Sequence, residues 1–265
     1  MKKIDLLIID PQNDFCDPKG SLFVPGADQD MQRLSTMISR IKNRLNNIHV
    51  TLDTHHAFDI AHPIFWTDSN NKHPDPFTLI TLDDVKKGKW KATVPWMQKR
   101  AVEYVESLAK GSRYLLCIWP PHCLIGSWGT QVQPDLWNVL TDWENENIAF
   151  VDYVTKGSNF WTEHYSAVQA DVPDPTDPST QLNIQLINML KEVDLIGISG
   201  EAINFCVANT ITDIANNFGE ENIKKFVLIE DTCSNVPGFD QMGVDFVKNM
   251  TARGMQIMKS TDFMA

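Results

Sequence analysis

The chain has 265 residues, 43% hydrophobic and 22% charged, a balance that supplies a sizeable core and excludes intrinsic disorder. Its 23 Lys and Arg against 34 Asp and Glu leave a net charge of −11, a field that repels phosphate backbones and anionic lipid heads, so nucleic acid and membrane surfaces are poor partners. The five cysteines, Cys16, Cys117, Cys123, Cys206 and Cys233, make no paired framework and no Cys-x-x-Cys clip, which suits a reducing cytoplasm.

After Met1-Lys2-Lys3 the apolar run from Ile4 to Ile9 is too short for the core of a signal peptide. No later run reaches the ~20 apolar residues of a membrane span, and the expectation is a soluble, cytoplasmic protein. Short β-branched or aromatic runs predict strands over 4–10, 48–52, 114–118, 149–153, 195–199 and 226–229, with a weaker one near 256–259. Helical spacing predicts helices over 28–45, where Met31, Leu34, Met37, Ile38 and Ile41 share a face, and over 94–109, 181–190 and 207–216.

This alternation predicts an α/β fold, with a doubly wound, mainly parallel six-stranded sheet and helices on both faces in three layers. It is read as one domain over 1–265. A polar stretch at about 67–112, with Asn70, Asn71, Lys72 and His73 and then Lys86-Lys87-Gly88-Lys89, reads as a segment inserted in that domain. The Pro- and Asp-rich run 171–178 is loop.

In such sheets the ligand crevice lies beyond the carboxyl ends of the strands. That rule selects Asp10, Asp53, the Trp119–His122 segment, Lys156 and the Gly200–Cys206 segment. Cys206 stands at the start of a predicted helix, where unpaired N–H groups and the helix dipole favour a thiolate and an oxyanion. By itself such a cysteine also fits a small buried hydrophobe. Asp10 and Lys156 on the same sheet edge supply the proton acceptor and the positive charge that a thiol nucleophile needs.

Asp53 and His55 are two apart in an extended chain and so point to one side, while His56 points to the other. His62 follows after a short loop, and His122 lies in Trp119-Pro120-Pro121-His122-Cys123. One carboxylate with several imidazoles suits zinc, iron or manganese better than magnesium. The spacing alone fits a structural role equally well. His49, His73 and His164 belong to no such pattern and are expected at the surface or behind the ligands.

The run Asp10-Pro11-Gln12-Asn13-Asp14-Phe15-Cys16, then Gly20 to Ala27, Thr155-Lys156-Gly157 and Gly200 to Cys206 together resemble the isochorismatase-like cysteine hydrolases, and within them the nicotinamidases. The resemblance spans most of the chain. It implies a catalytic triad of Asp10, Lys156 and Cys206. It also implies a cis peptide at Glu201–Ala202 that aims the Ala202 and Cys206 N–H groups at one point as an oxyanion hole. Asp53, His55, His62 and His122 would surround one divalent metal ion, zinc before iron or manganese, which holds a pyridine nitrogen. Phe15 and Trp119 would sandwich the ring.

The resemblance thus implies an amidohydrolase converting nicotinamide to nicotinate and ammonia through a thioester acyl-enzyme, in NAD salvage, with a small heteroaromatic amide as its partner. A homo-oligomer is left open. Two other readings share the same residues: an N-carbamoyl or ureido amidase of the superfamily, and a non-catalytic member of the fold that serves protein contacts.

Overall fold

The computed structural model describes residues 2–111 and 114–265; Met1, Ser112 and Arg113, including the far end of the segment expected at about 67–112, lie outside the described residues. The run 4–9 becomes β1 (Ile4–Ile9), buried along its whole length, as a strand covered on both faces must be. Five further strands join it: β2 (Asn47–Asp53), β3 (Asp152–Lys156), β4 (Leu195–Gly200), β5 (Phe226–Ile229) and β6 (Gln256–Met258). They form one six-stranded sheet in the order β6-β5-β4-β1-β2-β3, with every pairing parallel.

The chain winds outward from β1 through β2 to β3 and then returns to place β4 against the other side of β1. The winding reverses between β1 and β4, and the crevice opens beyond their carboxyl ends. Asp10, immediately after β1, and the 200–206 loop, immediately after β4, therefore face the same space.

Around the sheet lie α1 (Ala27–Ile41), α2 (Gln98–Gly111), α3 (Pro134–Asn147), α4 (Ile184–Lys191), α5 (Ala208–Asn216) and α6 (Asp240–Ala252). The expected stripe of α1, Met31, Leu34, Met37, Ile38 and Ile41, is buried. Helices α1 and α3 pack on one another, as do α5 and α6. Among the described residues no helix is long and apolar enough to cross a membrane.

Two expected strands differ. In the 114–118 run only Leu116–Cys117 is strand, and it pairs antiparallel with Leu79–Ile80 outside the main sheet; the run is apolar because it packs in the core, not because it joins β1 to β6. The run expected at 149–153 forms its strand later, at Asp152–Lys156, leaving Phe150 78% exposed. β3 is one of the two edge strands and only partly covered, so its apolar signal is weak and the nearby exposed residues misplace it. Helices α3 and α6 were not anticipated. Of the three histidines expected at the surface or behind the ligands, His73 is exposed and His49 and His164 are buried, His49 with both ring nitrogens paired to carboxylates and His164 accepting from the Gly157 amide through Nδ1.

The stretch from Trp66 to Gly111 carries a small antiparallel pair, Trp66–Thr67 with Lys91–Ala92, and the helix Leu82–Lys86. That helix is capped reciprocally by Thr81 and Asp84, which satisfies two of its otherwise unpaired amides. It ends in α2, whose Ala101, Tyr104, Val105 and Leu108 are buried.

Candidate active site

Asp10 turns the chain out of β1 with φ 47°, in the left-handed region that Asp enters more readily than most residues. Its amide donates to the Thr51 hydroxyl and carbonyl, and Thr51 Oγ1 donates back to Asp10 Oδ1 at 2.5 Å. Thr51 is one residue that the sequence pattern did not reveal. The carboxylate it fixes is fully buried.

Lys156, the last residue of β3, lies in register with Asp53 at the end of β2. Its Nζ is 2.9 Å from Asp10 Oδ2, 3.1 Å from Asp53 Oδ1 and 3.7 Å from Cys206 Sγ. One buried ammonium thus joins the proposed base, the proposed nucleophile and the histidine cluster. Burial acts against the charge on Lys156, but Asp10 and Asp53 outweigh it and hold the ammonium protonated. Burial pushes the Cys206 thiol well up, with Lys156 only partly offsetting it, so the resting sulfur keeps its proton and needs a base. Asp10 is raised by burial against the pull of Lys156, which makes it a better acceptor than an ordinary carboxylate.

Cys206 sits in a π-helical turn, Ile203–Val207, that runs into α5, rather than at the first turn of an α-helix. The peptide Glu201–Ala202 is cis. At Gly200, φ is 114° and an added Cβ would fall 2.0 Å from the Ile9 carbonyl oxygen, so only glycine allows β4 to turn this close to β1.

Beside the triad, Asp53, His55 and His122 bring ligand atoms within 4.8 Å of one another, all buried. His62 lies next to them, its ring centroid 5.2 Å from that of His55 and 5.5 Å from that of His122, although it is not in the closest group. His62 Nε2 is buried with no hydrogen-bond partner, and its pKa is lowered to about 4 by burial and by His122, so it stays neutral as a ligand must. His55 Nδ1 pairs with Asp59, the support found behind metal-bound imidazoles, while Nε2, the nitrogen left for a metal, meets Asp53. Gln12 clamps the Asp53 backbone, donating to its carbonyl and accepting from its amide, both at 2.7 Å. An imidazole-rich cluster with a buried orphan nitrogen fits a divalent transition metal. His56 is exposed.

A narrow cavity opens onto Cys206. Phe15, Trp119, Tyr165 and Phe205 form its aromatic walls, and Asp53 and His122 also line it. Phe15 meets His122 edge-on at 5.4 Å, and Trp119 Nε1 donates to Tyr165 Oη at 2.8 Å. The cavity is also lined by Glu163, a loop residue that the sequence pattern does not single out. Glu163 Oε1 accepts from the His164 amide, whereas Oε2 is buried without a donor, and burial raises the carboxyl pKa. A buried acid with a spare oxygen beside the Cys206 cavity is a functional group in waiting. Only its place in the fold marks it out.

No family model matches the chain. Over 229 residues it is 26% identical to the nicotinamidase of Saccharomyces cerevisiae, spanning 86% of this chain and 86% of that protein. Over 260 residues it is 24% identical to the nicotinamidase of Escherichia coli, spanning 97% and 95%. Among solved structures, a nicotinamidase/pyrazinamidase of Acinetobacter baumanii superposes with TM-score 0.66 at 23% identity, covering 99% of both chains. A pyrazinamidase of Pyrococcus horikoshii in complex with zinc gives 0.56 at 18%, covering 97% and 99%. An isochorismatase-like hydrolase of Alkaliphilus metalliredigens gives 0.55 at 15%, covering 99% and 97%.

Proposed function

We propose that this chain, which has the isochorismatase-like hydrolase fold, is a metal-assisted nicotinamidase that converts nicotinamide to nicotinate and ammonia. One observation carries the reading: Lys156 Nζ touches Asp10, Asp53 and Cys206 together, so a thiol and its base are joined to a metal-type cluster whose Asp53 and His122 line the same aromatic cavity as Cys206. The similarity to nicotinamidases in two organisms supports the choice of substrate.

In this reading the ring lies between Phe15 and Trp119 with its amide toward Cys206. A divalent cation, zinc by preference, held by Asp53, His55 and His122 with His62 beside them would coordinate the pyridine nitrogen and withdraw charge from the ring. Asp10 takes the Cys206 proton and the thiolate attacks the amide carbon. The resulting oxyanion is received by the Ala202 and Cys206 N–H groups. Asp10 then returns the proton to the nitrogen as the carbon–nitrogen bond breaks, and ammonia leaves a thioester on Cys206. Water attacks the thioester, its proton passing to Asp10, and nicotinate departs with the thiol restored. Lys156 stays charged throughout and favours the anionic forms of its neighbours. The segment at about 67–112 is, in the same proposal, an insertion in a single domain that supports the cavity wall from behind, since Phe77 packs edge-on against Trp119.

Ammonia release from nicotinamide, pyrazinamide, benzamide and N-carbamoyl compounds, with metal analysis of the same protein, tests this. Preference for the pyridine and pyrazine amides with about one bound metal per chain is expected. Turnover of carbamoyl compounds alone would replace the reading with the ureido amidase, and no turnover at all would leave a non-catalytic member of the fold.

A further inference from the structure

Behind the nucleophile loop, on the side away from the cavity, lies a buried acid for which the reaction has no use. Glu201 is fully buried. Its Oε2 accepts from the Ser234 amide at 3.0 Å, while Oε1 has no donor. Two residues on, the Ile203 amide donates to the Ser234 carbonyl at 2.9 Å, so Ser234 is held on both its backbone faces by the loop that carries Cys206. Asn204 repeats the grip on Val236, donating to its carbonyl and accepting from its amide, each at 3.0 Å. Val236 in turn lines the cavity beside Cys206.

The Ser234 hydroxyl donates to Asp30 of α1. Asp30 is itself buried and paired with Arg33, and Arg33 Nε donates to the Asp231 carbonyl. The path from Glu201 through Ser234 to Asp30 and Arg33 therefore anchors the nucleophile loop to α1. Burial and the Asp30 carboxylate push the Glu201 carboxyl well up, which favours its neutral form, with Oε2 accepting from the Ser234 amide and the acid side turned to Asp30. A neutral acceptor is less costly to bury than a second carboxylate beside Asp30.

We propose that Glu201 is a positioning residue for the amidohydrolase reaction, holding the 200–206 loop in register with Asp10 and Lys156 by accepting from the Ser234 amide. The inference rests on the functional reading above and deepens it. It touches neither substrate nor metal ligands, so its signature is a loss of turnover without a matching loss of substrate binding.

The test compares Glu201→Gln, which keeps an oxygen acceptor of the same reach, with Glu201→Met, which keeps length and volume but accepts nothing. Glu201→Met is expected to lower kcat roughly 10- to 100-fold, the order that a misplacement of about 1 Å costs, with KM within about threefold and alkylation of Cys206 by iodoacetamide slowed in step. Glu201→Gln is expected to restore kcat to within about threefold of the parent, as a neutral isostere should. Parental kcat in Glu201→Met, or an equal loss in Glu201→Gln, overturns the proposal. Should Glu201→Met not fold, Glu201→Asp, whose carboxyl is one methylene short of the Ser234 amide, takes its place; a reduced kcat at unchanged KM supports the proposal, and an unchanged kcat overturns it. A parent protein that releases no ammonia from nicotinamide defeats the functional reading instead. The alkylation rates then decide Glu201 alone, slowed in Glu201→Met for the proposal and equal to the parent against it.

Discussion

Three neighbouring strands, β1, β2 and β3, hold a buried ionic cluster at each of their ends, and the two clusters are built to opposite standards. At the end away from the crevice, Asp5 of β1 accepts from the Asn46 side chain, the Asn47 amide and His49 of β2, and His49 also pairs with Asp152 of β3 at 2.8 Å. No side-chain atom of Asp5 or His49 lacks a partner. At the crevice end, Asp10, Asp53 and Lys156 come from the same three strands, but His62 Nε2 and Glu163 Oε2 beside them are buried without hydrogen bonds. Buried polar groups left unmatched cost stability, and a fold that satisfies one cluster fully while leaving the other short keeps the second for ligands. The satisfied end is structure; the unsatisfied end is where the proposed chemistry sits.

Damage at the crevice end should abolish activity and spare stability. The largest effect is expected for Cys206→Ala, which should lower ammonia release at least about 10³-fold and leave the melting temperature near that of the parent. Near-normal release would remove the cysteine-hydrolase reading. Asp10→Asn keeps the shape of the base without its proton affinity and should lower kcat/KM by ~10²–10⁴; a change of under about threefold would mean another group moves the proton. His122→Ala, or chelation, should reduce nicotinamide hydrolysis by at least the roughly 10- to 100-fold that loss of a mere supporting partner costs a metal site. Benzamide hydrolysis, slow throughout, should change less, because that ring has no nitrogen to coordinate. Stopped assays with zinc, manganese or iron restored one at a time would read both substrates, and full activity on nicotinamide at zero metal occupancy would sink the metal's role.

The opposite end should show the reverse pattern, with the smallest effect on activity. His49→Leu strands part of the Asp5 carboxylate and should cost about 1–3 kcal/mol, less than a wholly enclosed pair because Asn46 and Asn47 still serve Asp5, while kcat stays within about threefold. Its pH signature has a definite sign. Burial disfavours the charged imidazolium of His49, but hydrogen bonds from it to Asp5 and Asp152 outweigh that and raise its pKa above 6.5. The folded state therefore holds this proton more tightly than the unfolded state. The stabilisation is complete below pH 6.5 and is lost as pH rises through the folded value. Melting temperatures taken from pH 6 upward should fall more steeply in the parent than in His49→Leu, and parallel curves would show that His49 carries no such linkage.

Local sequence was enough for the central strands. Ile4–Ile9, Leu195–Gly200 and Phe226–Ile229 are apolar runs bounded by polar or glycine punctuation, and burial on both faces leaves no competing pattern. Residues placed just beyond such strands were legible too: Asp10, Asp53, His55 and Cys206 are short-range consequences of where a strand stops. The edge strand β3 was misread because half of it faces solvent, and the 114–118 run because an apolar stretch does not disclose which partner covers it. The partners of the site were hidden for a further reason. Thr51 reaches Asp10 across 41 residues and Glu201 reaches Ser234 across 33, while Glu163 enters the cavity from a loop with no periodic pattern. Such contacts depend on strand order and on the reversal between β1 and β4, which no local pattern encodes. Local patterning therefore set the reactive residue types at the strand ends, and tertiary packing alone decided which of them meet, which stay unsatisfied and what holds them in place.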